Sequence, residues 1–306
     1  MTRQPVYPYA AQQLSPEAWQ ARLAEGPEAA ARWIYAAAMS GSTVAHVTWG
    51  QMLLDGTGMR RDPEAALRWF RIAADAGSLD GINMVGRCHE RGWGVARDPA
   101  EAARWFRRAA DGGHDWAQYN LGLLLVEGDG VPCDRREALS LFVRAARKRN
   151  PKGMNMIGHY REHGWIVRAD LRSAARWYRR AAAGGCFRGA FSTGRFAVSA
   201  GRIEDAARWF ETAVAEAPVD YCRDAAAVLL AQPEPEIRAV GRLALARCAQ
   251  ADAPADLFAY GRALAQGQGG PVDLEAAAAV LARADARGFP GAAAMLGDVL
   301  RRMPQR

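Results

Sequence analysis

The segment from His159 to His163 reads His-Tyr-Arg-Glu-His and carries the side chains in this sequence that are best suited to metal chemistry. On a helix its two histidines lie one turn apart, and zinc peptidases of one class use the same order of ligands and carboxylate. A hydrolytic zinc site also needs a third protein ligand, and no ordered motif downstream supplies one. We therefore predict no metal and no catalytic residue, and we keep a zinc-dependent hydrolase built on His159, Glu162 and His163 as an alternative function.

Two other patterns look like pieces of an active site. Three Gly-x-Gly pairs are candidates for phosphate loops, but each lies between two predicted helices rather than after a strand, where such loops occur. The pairs are Gly56/Gly58, Gly92/Gly94 and Gly128/Gly130. The segment from Gly189 to Gly194 reads GAFSTG, which is not the Gly-x-Ser-x-Gly turn of a serine hydrolase. We interpret the glycine pairs as turns and predict that the chain is not an enzyme and needs no cofactor.

The charge balance raises nucleic acid as a second alternative. The chain has 306 residues, and 40 Lys and Arg against 33 Asp and Glu give a formal charge of +7. The densest basic cluster runs from Arg144 to Lys152 and lacks the interleaved aromatic residues of a single-strand platform. It also lacks a recognisable groove-reading helix. Nucleic-acid binding through the arginine-rich surface therefore stays an alternative function.

The cysteines and the hydropathy indicate the cellular compartment of the protein. Its five cysteines are widely spaced and never form a Cys-x-x-Cys pair, so the sequence predicts reduced and mostly packed thiols. No stretch reaches the length of apolar residues that a membrane span needs, and the first ten residues lack the pattern of a signal peptide. We therefore expect a cytoplasmic protein without a membrane contact.

A repeat of 36 residues organises most of the chain. Three kinds of residue recur at this interval, and Leu141 replaces one tryptophan. They are Gly50, Gly86, Gly122 and Gly158; Asp62, Asp98, Asp134 and Asp170; and Trp33, Trp69, Trp105 and Trp177. Such self-similarity predicts a repeat architecture, in which each unit buries its apolar face against its neighbours.

Each unit reads as a helical hairpin. In residues 79–114, apolar and small residues at helical spacing form a first helix, helix A, which the segment Gly92-Trp93-Gly94 ends. The segment from Asp98 to Glu101 then gives an N-cap, a proline at the first helical position and a capping glutamate, which begin helix B. The sequence therefore predicts an all-α chain of helix-turn-helix repeats.

These residues resemble the Sel1-like repeats, relatives of the tetratricopeptide repeats. The resemblance is close in Ala117 to Val131 and in Asp98 to Gly113, which carry the family's A-helix glycine, Gly-x-Gly turn and aromatic B helix. It implies a right-handed α-solenoid with a concave groove lined by A helices, in proteins that mostly act as adaptors or scaffolds. We expect roughly seven repeats and a capping half-repeat in one solenoid over residues 15–306, after a flexible tail over residues 1–14. The repeats are strong over 43–186, shortened over 187–218, degenerate over 219–252 and recovered over 253–288, and the cap covers 289–303.

The groove supplies the candidate binding residues. Positions six and three before the marker glycine, and one, four and five after it, share one stripe of helix A. From this stripe we predict eight ligand-binding residues, with Tyr119 and Asn155 open to solvent. They are Asn83, Arg87, Trp116, Tyr119, Asn155, His159, Phe191 and Arg195.

The chemistry of this set favours a protein or an extended peptide as partner. Asparagine can bond to both polar groups of a peptide backbone, arginine suits carboxylates, and aromatic residues are common anchors at interfaces. We therefore predict a partner with acidic or carboxylate groups. The alternative is that Asn83 and Asn155 only bridge adjacent A helices.

Overall fold

A computed structural model of the chain describes residues 14–304, and these contain 17 helices and no strand. We number the helices in chain order. They are α1 (Pro16–Ala24), α2 (Pro27–Met39), α3 (Thr43–Asp55), α4 (Pro63–Asp75), α5 (Leu79–Arg91), α6 (Pro99–Asp111), α7 (Asp115–Glu127), α8 (Arg135–Arg147), α9 (Pro151–His163), α10 (Leu171–Ala183), α11 (Phe187–Ser199), α12 (Ile203–Glu216), α13 (Val219–Leu230), α14 (Pro235–Ala249), α15 (Pro254–Gln266), α16 (Leu274–Ala286) and α17 (Ala292–Arg302). The predicted tail falls, except for Leu14, outside the described residues.

The helix starts keep the 36-residue period. The A helices α3, α5, α7, α9 and α11 begin 36 residues apart, and so do the B helices α4, α6, α8 and α10. The shortened repeat has only three residues between α11 and α12, where the regular turn between α3 and α4 has seven. The degenerate stretch still forms a helical pair, α13 and α14. The chain is therefore an all-α solenoid of helix-turn-helix repeats, as the sequence predicts.

The recurring aspartates begin the B helices. The carboxylate of Asp98 accepts a hydrogen bond of 2.9 Å from the backbone N–H of Glu101, which would otherwise have no partner in the first turn. Asp62, Asp170 and Asp273 make the same bond to the residue three positions on. A side-chain cap of this kind stabilises a helix by about 1 kcal/mol.

The Gly-x-Gly pairs are turns, which confirms that interpretation. The first glycine ends the A helix in a left-handed conformation, with φ of 72° at Gly92. The second, Gly94, also has positive φ, and an added Cβ would collide with the backbone of Pro63 at the start of the preceding B helix. The pair therefore brings the turn of one repeat against the helix of the repeat before it.

The marker glycines let helix A lie directly on an aromatic ring of helix B. A Cβ added at Gly86 would come within 2.7 Å of Phe106, and one at Gly122 within 2.6 Å of Phe142. The 36-residue glycine is therefore a packing position, because any side chain there would push the two helices of a repeat apart.

The chain divides into two compact units, one ending at Gly153 and the other beginning at Met154. The core of the first contains fully buried Phe70, Phe106 and Phe142. The core of the second includes Tyr178 and a cluster around Phe210 and Ile237.

All five cysteines are free thiols, and four of them are buried, as predicted. None of the helices in residues 14–304 combines the length and the apolar character that a membrane crossing requires.

Candidate functional site

The predicted stripe is not uniformly open to solvent. Asn83, Tyr119 and Asn155 are only 6%, 8% and 4% exposed. The expectation that Tyr119 and Asn155 are open is therefore wrong. All three lie three positions before a marker glycine, and at this position the side chain points into the packed helical layer rather than along its outer surface. Trp116, by contrast, is 40% exposed, so the stripe holds both accessible and covered residues.

Asn83 bridges two consecutive A helices. Its Oδ1 atom accepts a hydrogen bond of 3.1 Å from Nδ2 of Asn120 on α7. This is the alternative role that the sequence leaves open for Asn83. Asn155 is different, because its buried Oδ1 atom has no hydrogen-bond partner among the described residues.

An aromatic and basic cluster lies on α7 and the first turn of α9. Trp116 and Tyr119 contact each other edge to face, with ring centroids 6.4 Å apart. The ammonium nitrogen of Lys152 lies 5.1 Å from the Trp116 ring centroid and 5.8 Å from that of Tyr119. Trp116 is exposed while Tyr119 is covered, so the tryptophan and the lysine are the accessible part of this cluster. We call these two residues, Trp116 and Lys152, the Trp116 patch.

Arg87 makes a second cation–π pair in the first unit. Its guanidinium carbon lies 5.0 Å from the ring centroid of Trp93, and one guanidinium nitrogen is 3.8 Å from the sulfur of Met84. Both Arg87 and Trp93 are half-buried. The arginine is thus held in place by its neighbours while part of it remains accessible.

In the second unit, a polar cluster surrounds Glu162 on α9. Tyr178 of α10 donates a hydrogen bond of 2.5 Å to Oε2 of Glu162, and Arg195 of α11 donates one of 2.7 Å to Oε1. The rings of His159 and His163 are nearly parallel, with centroids 6.0 Å apart. The donor atoms of His159, Glu162 and His163 all lie within 4.8 Å of one another. The structure therefore brings together three helices and both predicted residues His159 and Arg195.

Burial and hydrogen bonding fix the charges of this cluster. Burial lowers the pKa of His159, even though Glu162 nearby acts in the opposite direction. Burial alone would raise the pKa of Glu162, but the hydrogen bonds from Tyr178 and Arg195 outweigh it and lower the pKa. The pKa of Tyr178 is raised, first by burial and then by its bond to Glu162. At neutral pH the cluster therefore holds a neutral His159, a carboxylate and a tyrosine hydroxyl.

Phe191 belongs to a packed aromatic group rather than to an open surface. Its ring centroid lies 4.9 Å from that of Phe210 and 5.8 Å from that of Tyr221. It is half-buried, so part of its ring is available at most. The predicted set thus separates into accessible residues, namely Arg87, Trp116, His159 and Arg195, and residues that mainly pack, namely Asn83, Tyr119, Asn155 and Phe191.

Sequence reasoning missed the role of Tyr178. Residues 36 positions apart on the B helices are Phe70, Phe106 and Phe142, and the tyrosine replaces phenylalanine in the next repeat. The extra hydroxyl was the available signal, because a buried tyrosine usually has a hydrogen-bond partner. The sequence places that partner, Glu162, in the candidate metal motif and on the stripe of helix A, with no link to Tyr178.

Comparison with known proteins agrees with this geometry. The Sel1 repeat model matches residues 45–78, 79–114, 117–150, 151–186 and 254–279, which together are more than half of the chain. The comparison with curated proteins gave no match.

Solved structures share the fold. A Sel1 repeat protein from Oxalobacter formigenes is 25% identical, with a TM-score of 0.63, over 76% of this chain and 99% of that one. The protective antigen c5321 of uropathogenic Escherichia coli, described as an SLR fold, is 25% identical with a TM-score of 0.54. That match covers 95% of this chain, which spans only 65% of the E. coli protein. Yeast Tom70, at 11% identity and a TM-score of 0.51 over 94% of this chain and 61% of that one, shares the fold alone. On the strength of the repeat matches, this chain belongs to the Sel1 repeat family.

Proposed function

We propose that this protein is a non-catalytic adaptor or scaffold that binds a protein or an extended peptide through accessible A-helix residues. Repeats of this family generally mediate protein–protein interaction. The observation that carries the proposal is the Trp116 patch, a large exposed aromatic ring beside the ammonium group of Lys152. Tryptophan is among the residues that most often anchor protein interfaces.

The chemistry of the accessible residues favours an acidic partner. In the first unit Lys152 and Arg87 each present a cation over an aromatic ring. Such a group can bind a carboxylate while the ring contacts an apolar side chain. In the second unit Arg195 is exposed, although Glu162 already neutralises part of its charge. A peptide that alternates carboxylate and apolar side chains fits the first unit best.

Hydrolysis has less support from the same structure. In a zinc hydrolase the motif's glutamate would act as a general base. Here both oxygens of Glu162 accept strong hydrogen bonds, and its pKa is lowered, so it is a weak base. This arrangement suits a carboxylate that positions other groups.

Selection of peptides against the purified full chain tests the proposal. Acidic peptides with apolar residues should be enriched, and Trp116→Ala should weaken their binding at least tenfold, because an anchor at an interface commonly contributes 2 kcal/mol or more, on the order of thirtyfold. Ile72→Ala is the matched control. Ile72 is 45% exposed in the same unit but lies on the B helix α4.

Two outcomes would contradict the proposal. One is unchanged binding in Trp116→Ala, which would place the contact away from the Trp116 patch. The other is the absence of any enriched peptide for the wild-type chain. Amidated and free-carboxylate forms of each selected peptide show whether a terminal carboxylate contributes to binding.

A further inference from the structure

The side chains of His159, Glu162 and His163 are of the types that bind metal ions in proteins. Two imidazoles and one carboxylate lie on one face of α9, and their donor atoms are within 4.8 Å of one another. This mixture of nitrogen and oxygen donors suits Zn²⁺ and its neighbours in the first transition series rather than Ca²⁺ or Mg²⁺. Donors in a tetrahedral zinc site are separated by roughly 3.3 Å, given bond lengths of about 2.0–2.2 Å, so modest side-chain rotation would complete the site.

The surroundings hold the donors close to this arrangement. Tyr178 and Arg195 fix the carboxylate of Glu162, and each oxygen keeps a further lone pair. His159 lies edge to face on Tyr178, with centroids 5.5 Å apart, and His163 stacks on Trp165 at 5.2 Å. Hydrogen bonds and packing behind the ligands are what orient them in metal sites.

The site is also accessible and specific to this repeat. His163 is exposed, while His159 and Glu162 are half-buried, so an ion can enter from solvent and meet a partly enclosed site. At the equivalent positions of α5 the chain has Arg87, Glu90 and Arg91, and there Arg91 lies 3.4 Å from Glu90. The repeat scaffold therefore does not require histidines here.

We propose that His159, Glu162 and His163 bind a transition-metal ion such as Zn²⁺. The two histidines and the carboxylate supply three ligands, and the fourth position remains open to water or to a donor from another molecule. Arg195 competes with the ion for Glu162, so the site is weaker than a structural zinc site with four protein ligands. This inference replaces the expectation that the chain holds no metal, and it does not depend on the proposed peptide binding.

Calorimetric titration of the tag-free full chain with zinc chloride tests the proposal. One ion should bind per chain, and the double change His159→Ala with His163→Ala should weaken binding at least a hundredfold. Glu162→Gln should weaken it about tenfold, since loss of one of three ligands is less severe. With Co²⁺ as probe, the wild-type chain should show a visible absorption band that the double variant lacks.

Two variants serve as matched controls. His114→Asn removes a histidine elsewhere while keeping a good N-cap for α7, and Cys133→Ser removes the exposed thiol. Neither should change zinc affinity. His163→Ala alone covers the case in which the double variant does not fold, because His163 is exposed, and it should weaken binding at least tenfold.

Unchanged zinc affinity in folded His163→Ala, or wild-type binding no tighter than that of the double variant, would overturn the proposal. Loss of binding in either control would do the same, because the ion would then be elsewhere. Quenching of Trp165 by Co²⁺ gives an independent readout. The Trp165→Phe chain should bind zinc with the same stoichiometry as the wild type. When it is titrated with Co²⁺, its total tryptophan fluorescence should decrease less than that of the wild type.

Discussion

Tyr178 differs by one oxygen atom from the phenylalanines that occupy its position in the three preceding repeats. That oxygen donates a hydrogen bond to Glu162, and it links the B helix α10 to the polar cluster on α9. Beneath it the ring fills the usual place opposite a marker glycine, because a Cβ at Gly158 would come within 2.5 Å of the tyrosine ring. At this residue the general packing role and the local polar role are therefore combined.

Tyr178→Phe should lower the free energy of unfolding by about 1–2 kcal/mol, because it removes a hydrogen bond to a charged group but leaves the ring in place. Chemical denaturation of the full chain measures this. In a double-mutant cycle with Glu162→Gln, the double variant should lose less free energy of unfolding than the sum of the losses in the two single variants. Full additivity would show that the two side chains do not interact.

The cysteines give a second prediction at this scale. Burial raises the pKa of Cys88 to about 12 and that of Cys248 to about 11, so neither is a thiolate at pH 8. Cys133 is exposed. Iodoacetamide should therefore modify Cys133 first in the native chain, and all five thiols only after denaturation. Peptide mass mapping reads the sites, and early labelling of Cys88 would contradict the burial described above.

At the scale of elements, the helices follow from local chemistry. Aspartate caps begin the B helices of the regular repeats, and left-handed glycines end most of the A helices, so both boundaries could be predicted there from single residues such as Asp98 and Gly92. The marker glycine has a different cause, which is the close approach of an aromatic ring from the paired helix.

Gly122→Ala should lower the free energy of unfolding by about 1–3 kcal/mol, because the new methyl group overlaps Phe142. Gly297→Ala is the matched control within helix α17. There the added Cβ would meet only the flexible end of Arg301 at 3.6 Å, so the better helix propensity of alanine should stabilise the chain by up to about 1 kcal/mol. Thermal denaturation compares the two, and effects of the same sign would refute the packing role of the marker glycine.

The burial of the stripe could not be predicted from spacing. Helical spacing shows which residues share a face, but not how closely the next helix approaches that face. Asn83 and Tyr119 lie on the predicted face and are nevertheless covered, the first by contact with Asn120 and the second by Phe142, Trp116 and Lys152. The accessible subset therefore needed the three-dimensional structure.

For the whole molecule, the period predicted the architecture because each of the strong repeats carries its own capping aspartate, turn glycine and packing glycine. The same pattern could be extended to weak repeats. The degenerate stretch lacks an aspartate cap at the start of α14, yet Ile237 and Val240 still bury this helix against α13. A ligand could not be predicted in this way, because the candidate binding residues vary from repeat to repeat while the packing positions of the strong repeats recur.

Photo-cross-linking tests the central claim, binding through accessible A-helix residues, most directly. A benzophenone amino acid is placed at Trp116 in one chain and at Ile72 in another, and each chain is irradiated with a peptide selected by the wild-type protein. The account predicts a covalent peptide adduct from position 116 and little from position 72. An adduct formed mainly at position 72 would contradict it, because the partner would then lie against the B helices.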